Sequence, residues 1–189
     1  EEWKEEAMNR GLTNVSHVPE AIMRFNDPQS RRVLIGEHIF NENELNCRIE
    51  VELEKFTKKV QIESRILGDL AINHVIPTAV IYQNRLLENL RGLRETFSPE
   101  EYELLGSDRR ELVKEIQLHI LEIKRLVREM TDARHIANRK TSQVEKAYNY
   151  QEAVSPYMEM IREHIDHLEL EIDDEIWPLP KYRELLFTK

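Results

Sequence analysis

His164 and His167 lie three residues apart, neighbouring positions on one helical face, and two imidazoles at that spacing can share a metal ion. Glu163, Asp166 and Glu169 stand beside them and offer carboxylates. The apolar stripe of the same segment runs through Ile161, Ile165 and Leu168, however, which turns both histidines outward or to the flank. His119 occupies an apolar-stripe position elsewhere. Glu63 and His74 fall where a long helix would otherwise continue its first stripe, and Asp69 and Asn73 interrupt a second one. Such groups form either a polar or metal-binding cluster, or a set of register-fixing hydrogen bonds and residues facing a gap, since a buried polar group without a partner costs roughly 1–3 kcal/mol. A di-iron site of the ferritin type needs paired Glu-x-x-His motifs. None of the seven histidines has a Glu three residues before it. Cys47, the single cysteine, has no histidine at helical contact spacing and reads as a small semi-buried residue. There is no glycine-rich phosphate loop. The expectation is a chain with no catalytic, cofactor-binding or metal-ligating residue of its own.

The elements that would position these groups are helices. Trp3 to Arg10 is a helical stretch stopped by Gly11, a residue that tolerates left-handed torsions. Pro19 and Pro28 suit first helical positions, with Asp27 as the cap of the second. Asn41 and Glu44 have capping-box spacing. From Leu45 the apolar positions are Ile49, Leu53, Phe56, Val60, Leu67 and Leu70, in steps of three and four. A neighbouring stripe follows through Ile66, Ile76, Val80, Leu87 and Leu90. A helix over 42–95 is about 80 Å long at ~1.5 Å per residue. Pro77 is expected to kink it, its ring meeting the Asn73 carbonyl. Ser98-Pro99-Glu100-Glu101 starts another helix, and Gly106-Ser107-Asp108 is expected to interrupt it. Leu112, Ile116, His119, Ile123, Leu126, Met130, Ala133 and Ala137 then keep an unbroken 4-3 spacing. So do Ala147, Gln151, Val154, Met158, Ile161, Ile165, Leu168 and Ile172. The expected fold is all-α: an elongated antiparallel bundle of long heptad-patterned helices. It divides into short N-terminal helices (1–41), the long-helix bundle (42–176) and a proline-rich docking tail (177–189).

Composition narrows function. The 189 residues carry a net charge of −9, with 40% hydrophobic and 33% charged residues. That balance speaks against a nucleic-acid partner, which needs excess Lys and Arg. No apolar run reaches the ~18 residues of a membrane span. One cysteine permits no internal disulfide and suits a reducing cytoplasm. Glu159 to Glu175 holds eight carboxylates and one arginine, the composition of a solvated face or of a surface that meets a basic neighbour. The chain begins at Glu1 rather than at methionine, as an excised segment would. In the tail, Trp177-Pro178-Leu179-Pro180 cannot continue a helix. Tyr182, Leu185, Leu186 and Phe187 then give an apolar face expected to dock on the bundle or on a partner.

Three stretches carry a family likeness: WKEEAMNRGLTNV with Pro19-Glu20-Ala21, the segment IESRILGDLAINHVIPTAVIYQ (62–83), and Asp173-Asp174-Glu175 through WPLPKYRELLF (177–187). They resemble the C-terminal region of type III glutamine synthetases. The resemblance implies a parent enzyme that joins glutamate and ammonia through γ-glutamyl phosphate, using ATP and Mg²⁺ or Mn²⁺ on a β-sheet-bearing catalytic domain. No motif of that domain stands in this chain. The resemblance therefore implies a noncatalytic, structural role: packing on the catalytic domain and on neighbouring subunits of a homo-oligomeric ring. The competing reading is a stand-alone helical scaffold working through its heptad faces.

Overall fold

Gly11 ends the first helix, α1 (Glu2–Asn9), in the left-handed region at φ +70, and Leu12 N–H reaches back to the Ala7 carbonyl at 2.8 Å. These structural facts come from a computed structural model that describes residues 2–186, the side chains of Tyr182 and Arg183 excepted. Phe187 lies outside the described residues. Helices α2 (Val18–Met23) and α3 (Pro28–Gly36) begin at the expected prolines. Asp27 holds the cap position of α3, but its side chain makes no capping bond; its carboxylate lies 3.4 Å from the Arg24 guanidinium, an ion partner that outcompetes a neutral amide. After α3 the left-handed torsion falls on His38 (φ 57), not on Gly36, and turns the chain toward Phe40.

Helix α4 (Glu42–Leu70) starts from a complete capping box: Asn41 N–H donates to Glu44 at 2.8 Å, and Glu44 N–H donates to Asn41 Oδ1 at 2.9 Å. It runs without a break through a π turn at Ala71–Val75 into α5 (Ile76–Thr96). The distortion that Pro77 demands is thus placed in the turn before it. A proline cannot donate to the carbonyl four residues back and its ring collides with that carbonyl. Widening the preceding turn removes the collision, and Thr78 Oγ1 donates to the His74 carbonyl at 2.9 Å.

The extra residue in the π turn rotates everything downstream by about 100° relative to a continuing α-helix. This splits the second expected stripe: Ile76 and Leu90 are buried, whereas Ile66, Val80 and Leu87 are exposed. The line that goes inward is made of small residues, Ser64, Gly68, Ala71, Val75 and Ala79. Glu63, Asp69, Asn73 and His74 all face outward, and Asn73 donates to Asp69 at 2.6 Å. The polar cluster expected inside the bundle is therefore a solvated face.

Helix α6 (Pro99–Asn138) opens with the expected Ser98–Glu101 capping box and continues for 40 residues. Gly106 does not interrupt it. This glycine is buried, and a Cβ there would sit 3.3 Å from both Leu90 Cδ2 and Tyr102 Cε2, so its missing side chain serves close packing rather than a turn. Helix α7 (Gln143–Asn149) passes through a second π turn, Tyr150–Val154, into α8 (Ser155–Glu171). Pro156 follows that π turn as Pro77 follows the first, and here Ser155 Oγ donates to the Tyr150 carbonyl at 3.1 Å. A short helix, α9 (Tyr182–Leu186), follows the proline-rich turn. No strand occurs among the described residues, in keeping with the all-α expectation.

The chain divides into two compact units. The first comprises the chain up to Glu63 together with Ala133–Pro156. Its core is Leu45, Ile49, Leu53 and Ala147, covered by Ile22, Met23, Leu34, Ile35, Phe40, Phe56 and Val144. Gln143 donates to Thr57 at 3.2 Å, Gln61 to Asn138 at 3.3 Å, and Tyr150 to Asn138 at 2.9 Å, so α4 and the 138–150 stretch run antiparallel. The second unit comprises Ser64–Asp132 and the chain from Tyr157 onward. There Gly68 approaches Val127 and Met130, Gln83 donates to the Val113 carbonyl, and Leu90 meets Gly106. Partner numbers fall as the helix advances, again an antiparallel pairing. Trp177 is buried at 8% exposure, and its indole N–H has no hydrogen-bond partner among the described residues. Lys181 ties the turn down through the Glu169 carbonyl at 2.7 Å and the Asp174 carboxylate. Leu185 and Leu186, expected to dock, are exposed on α9.

Two substitution pairs check this packing by denaturant unfolding. Gly68→Leu should cost about 1–3 kcal/mol by overpacking, while Asn73→Ala should stay within about 0.5 kcal/mol. Trp177→Ala should cost about 3–5 kcal/mol, and Trp177→Phe far less, because the lost indole N–H bonds nothing.

Candidate functional site

The structure brings together three histidines that the sequence places on two helices. His119 lies on α6, four residues beyond Glu115, and His164 and His167 lie on α8. Helical spacing puts Ile116, Ile120 and Ile123 of α6 and Ile161, Ile165 and Leu168 of α8 in the core. The imidazoles fall on the borders of those stripes. His119 and His164 are half-buried and His167 is exposed. His119 Nδ1 and His164 Nδ1 are 2.9 Å apart, hydrogen-bonding distance. The His119 ring also stacks on His167, with centroids 5.2 Å apart and planes 22° from parallel.

A contact between two ring nitrogens needs one N–H and one lone pair, so it is satisfied when the pair carries complementary tautomers. Two imidazolium rings at this distance would repel. Partial burial, followed by the charges of His164 and His167, holds the His119 pKa below the usual imidazole range. Glu115 and Glu171 pull weakly in the opposite direction. Glu122, one turn beyond His119, is held low by its hydrogen bond to Arg125 and is thus committed elsewhere. The cluster can hold a proton or give it up, and it pins α6 to α8 while neutral.

The other candidates stand apart from it. His74 is an exposed residue on the outer face of the first π turn. Cys47 is exposed, not semi-buried, because it lies on the face of α4 opposite the inward line Leu45–Ile49. Among the described residues, no group of three or more His, Cys, Asp or Glu side chains is placed to hold a metal ion. An open groove of ≈ 990 Å³ lies where α4 begins, lined by Ile39, Phe40, Cys47, Arg48, Val51 and Lys55 among others. Sequence reasoning missed this groove, since its walls come from the loop after α3 and only the turn at His38 brings them together.

The family model described as the glutamine synthetase C-terminal domain matches residues 1–94. Over its whole length the chain is 69% identical to a glutamine synthetase of Bacteroides fragilis. It is 28% identical to a type-3 glutamine synthetase of Dictyostelium discoideum and 24% identical to a glutamine synthetase of Butyrivibrio fibrisolvens. In each case all of this chain is covered but only 26% of the relative, so it spans about a quarter of the length of the proteins it matches.

The histidine contact sets a pH dependence. His119 binds its proton more weakly in the fold than in the unfolded chain, whose imidazole titrates near ~6.5. Its contribution to stability is therefore complete above that pH and is lost as pH falls below it, when the unfolded chain takes up a proton the fold resists. Unfolding midpoints should drop as pH falls below about 6.5, and His119→Gln should flatten that drop. Parallel curves for the two proteins would remove the histidine contact as the cause.

Proposed function

Since the chain belongs to the glutamine synthetase C-terminal domain family, we propose that it is the noncatalytic C-terminal part of a type III glutamine synthetase and acts in structure and assembly. The observation that carries this reading is 69% identity over the whole chain to an enzyme of which the chain is 26%. The parent joins glutamate and ammonia at the expense of ATP, through γ-glutamyl phosphate. In this reading its nucleotide and its Mg²⁺ or Mn²⁺ are held by the catalytic domain. The described residues converge on no metal-binding group, and the large groove carries three carboxylates against two cations, the wrong sign for a triphosphate. On this reading chemistry resides in the remaining three quarters of the parent.

Long paired helices suit the role. They present extended rigid faces to a catalytic body and to neighbouring subunits, and closed rings of identical subunits need such self-complementary or head-to-tail surfaces. No described helix is long and apolar enough to cross a membrane, and the net charge of −9 disfavours nucleic acid. The partners in this reading are the parent's own catalytic domain and further copies of the same subunit, in the cytoplasm.

Two measurements test it. A denaturing immunoblot of the source organism with an antibody to this chain should reveal a band about four times heavier than 22.6 kDa. A band at 22.6 kDa would establish a free helical scaffold instead. The 189-residue chain supplied with glutamate, ammonia and ATP should release no glutamine, and steady turnover by it would overturn the noncatalytic assignment.

A further inference from the structure

The groove at the start of α4 combines an apolar lining with a polar rim that is already occupied. Ile39 and Val51 are 56% and 40% exposed. Phe40 lies half-buried beneath the Arg48 guanidinium, 4.9 Å from the ring centroid. Glu42 is bound by Arg31 at 2.6 Å, Glu44 closes the capping box with Asn41, and Lys55 holds Glu52 at 2.7 Å. These charged groups are matched within the chain, so what the groove offers a visitor is apolar surface. Elsewhere in the same unit Phe25 and Val33 are each about half exposed, although Ile22, Met23, Leu34 and Ile35 near them in sequence reach the core. The non-glycine residue held at left-handed φ, His38, immediately precedes Ile39 of the groove lining, a backbone conformation that L-residues rarely adopt.

We propose that this groove is the seat of the polypeptide that precedes residue 1 in the parent enzyme. The inference rests on the reading above. The family matched is a C-terminal domain and the relatives are about four times longer, so the missing body is tethered directly to α1. A tether raises the effective concentration of that body at nearby surfaces to the millimolar range, which favours the first apolar surface within reach over one on a separate molecule. A charged ligand is disfavoured by the occupied rim.

The native full-length protein provides the test. Cys47 lines the groove and is exposed in this chain. Its alkylation by N-ethylmaleimide is followed by peptide mass, beside the thiol introduced by Leu118→Cys on an exposed position of α6. Each rate is divided by that of the same thiol in urea. Cys47 should react at least about tenfold more slowly than the α6 thiol, as a covered residue that reacts only through opening does. Equal normalised rates on a parent of the heavier mass would overturn the docking assignment and leave the proposed function standing. Lysine cross-linking at Lys55 in a mixture of isotopically light and heavy protein identifies the occupant. Links within one chain to residues preceding Glu1 support the proposal. Mixed light–heavy links would overturn it in favour of a second copy. A native mass of 22.6 kDa would remove the occupant and overturn both readings together.

Discussion

Everything in the second unit depends on how near one helix can come to its neighbour along the line Ser64, Gly68, Ala71, Val75, Ala79. With almost no side chain on that line, the backbone itself becomes the contact surface, and Val127 and Met130 come within 3.4 and 3.5 Å of where a Gly68 Cβ would be. Dispersion at this separation is small per atom pair but is summed over a long interface, and it collapses with a gap of half an ångström. Larger side chains elsewhere, such as Ile116, Ile123, Leu126 and Ile161, fill the space that the close approach encloses. The interface therefore fixes the register of α5 against α6, and Gly106 against Leu90 repeats the device further along the same pair.

Holding that register requires the helix to present the small line both before and after Pro77. A plain α-helix cannot accept the proline without bending. The π turn at Ala71–Val75 accepts it and carries the buried line from Ser64, Gly68 and Ala71 on to Val75, Ile76 and Ala79. The same arrangement before Pro156 makes this a repeated solution rather than an accident of one site. In both, a hydroxyl beside the proline donates to a carbonyl of the widened turn, Thr78 to that of His74 and Ser155 to that of Tyr150. Polar satisfaction thus stays local, and the helix carries on past Pro77 through a distortion without a break, as the sequence leads one to expect.

Helix starts were legible because their signals are chemical: Asn41 with Glu44, and Ser98 with Glu101, name their own hydrogen bonds. The apolar lines of α6 and α8 were legible for the same reason, large side chains at regular spacing. What could not be read was whatever depends on small residues or on a shifted register. Gly106 looks like a breaker until Leu90 and Tyr102 are seen against it. Glu63, Asp69, Asn73 and His74 look like an inward polar line only if the large neighbours set the face, when in fact Ser64, Gly68 and Ala71 do. The meeting of His119 with His164 and His167 needs the relative registry of two helices 45 residues apart in sequence, which no periodicity supplies.

The same reasoning bears on what such a domain is for. The second unit spends its small residues and its prolines on an exact internal fit, and its one cluster of titratable rings sits between two of its own helices. The first unit is built differently: its core is a short line, Leu45, Ile49, Leu53 and Ala147, clad by brief helices that leave Phe25, Val33 and Ile39 uncovered. Apolar surface left open beside a strained, non-glycine turn has a cost in water that the chain itself does not recover. A surface of that kind is consistent with a domain completed by the rest of a larger molecule, and its position near the start of the chain is where the preceding body is closest at hand.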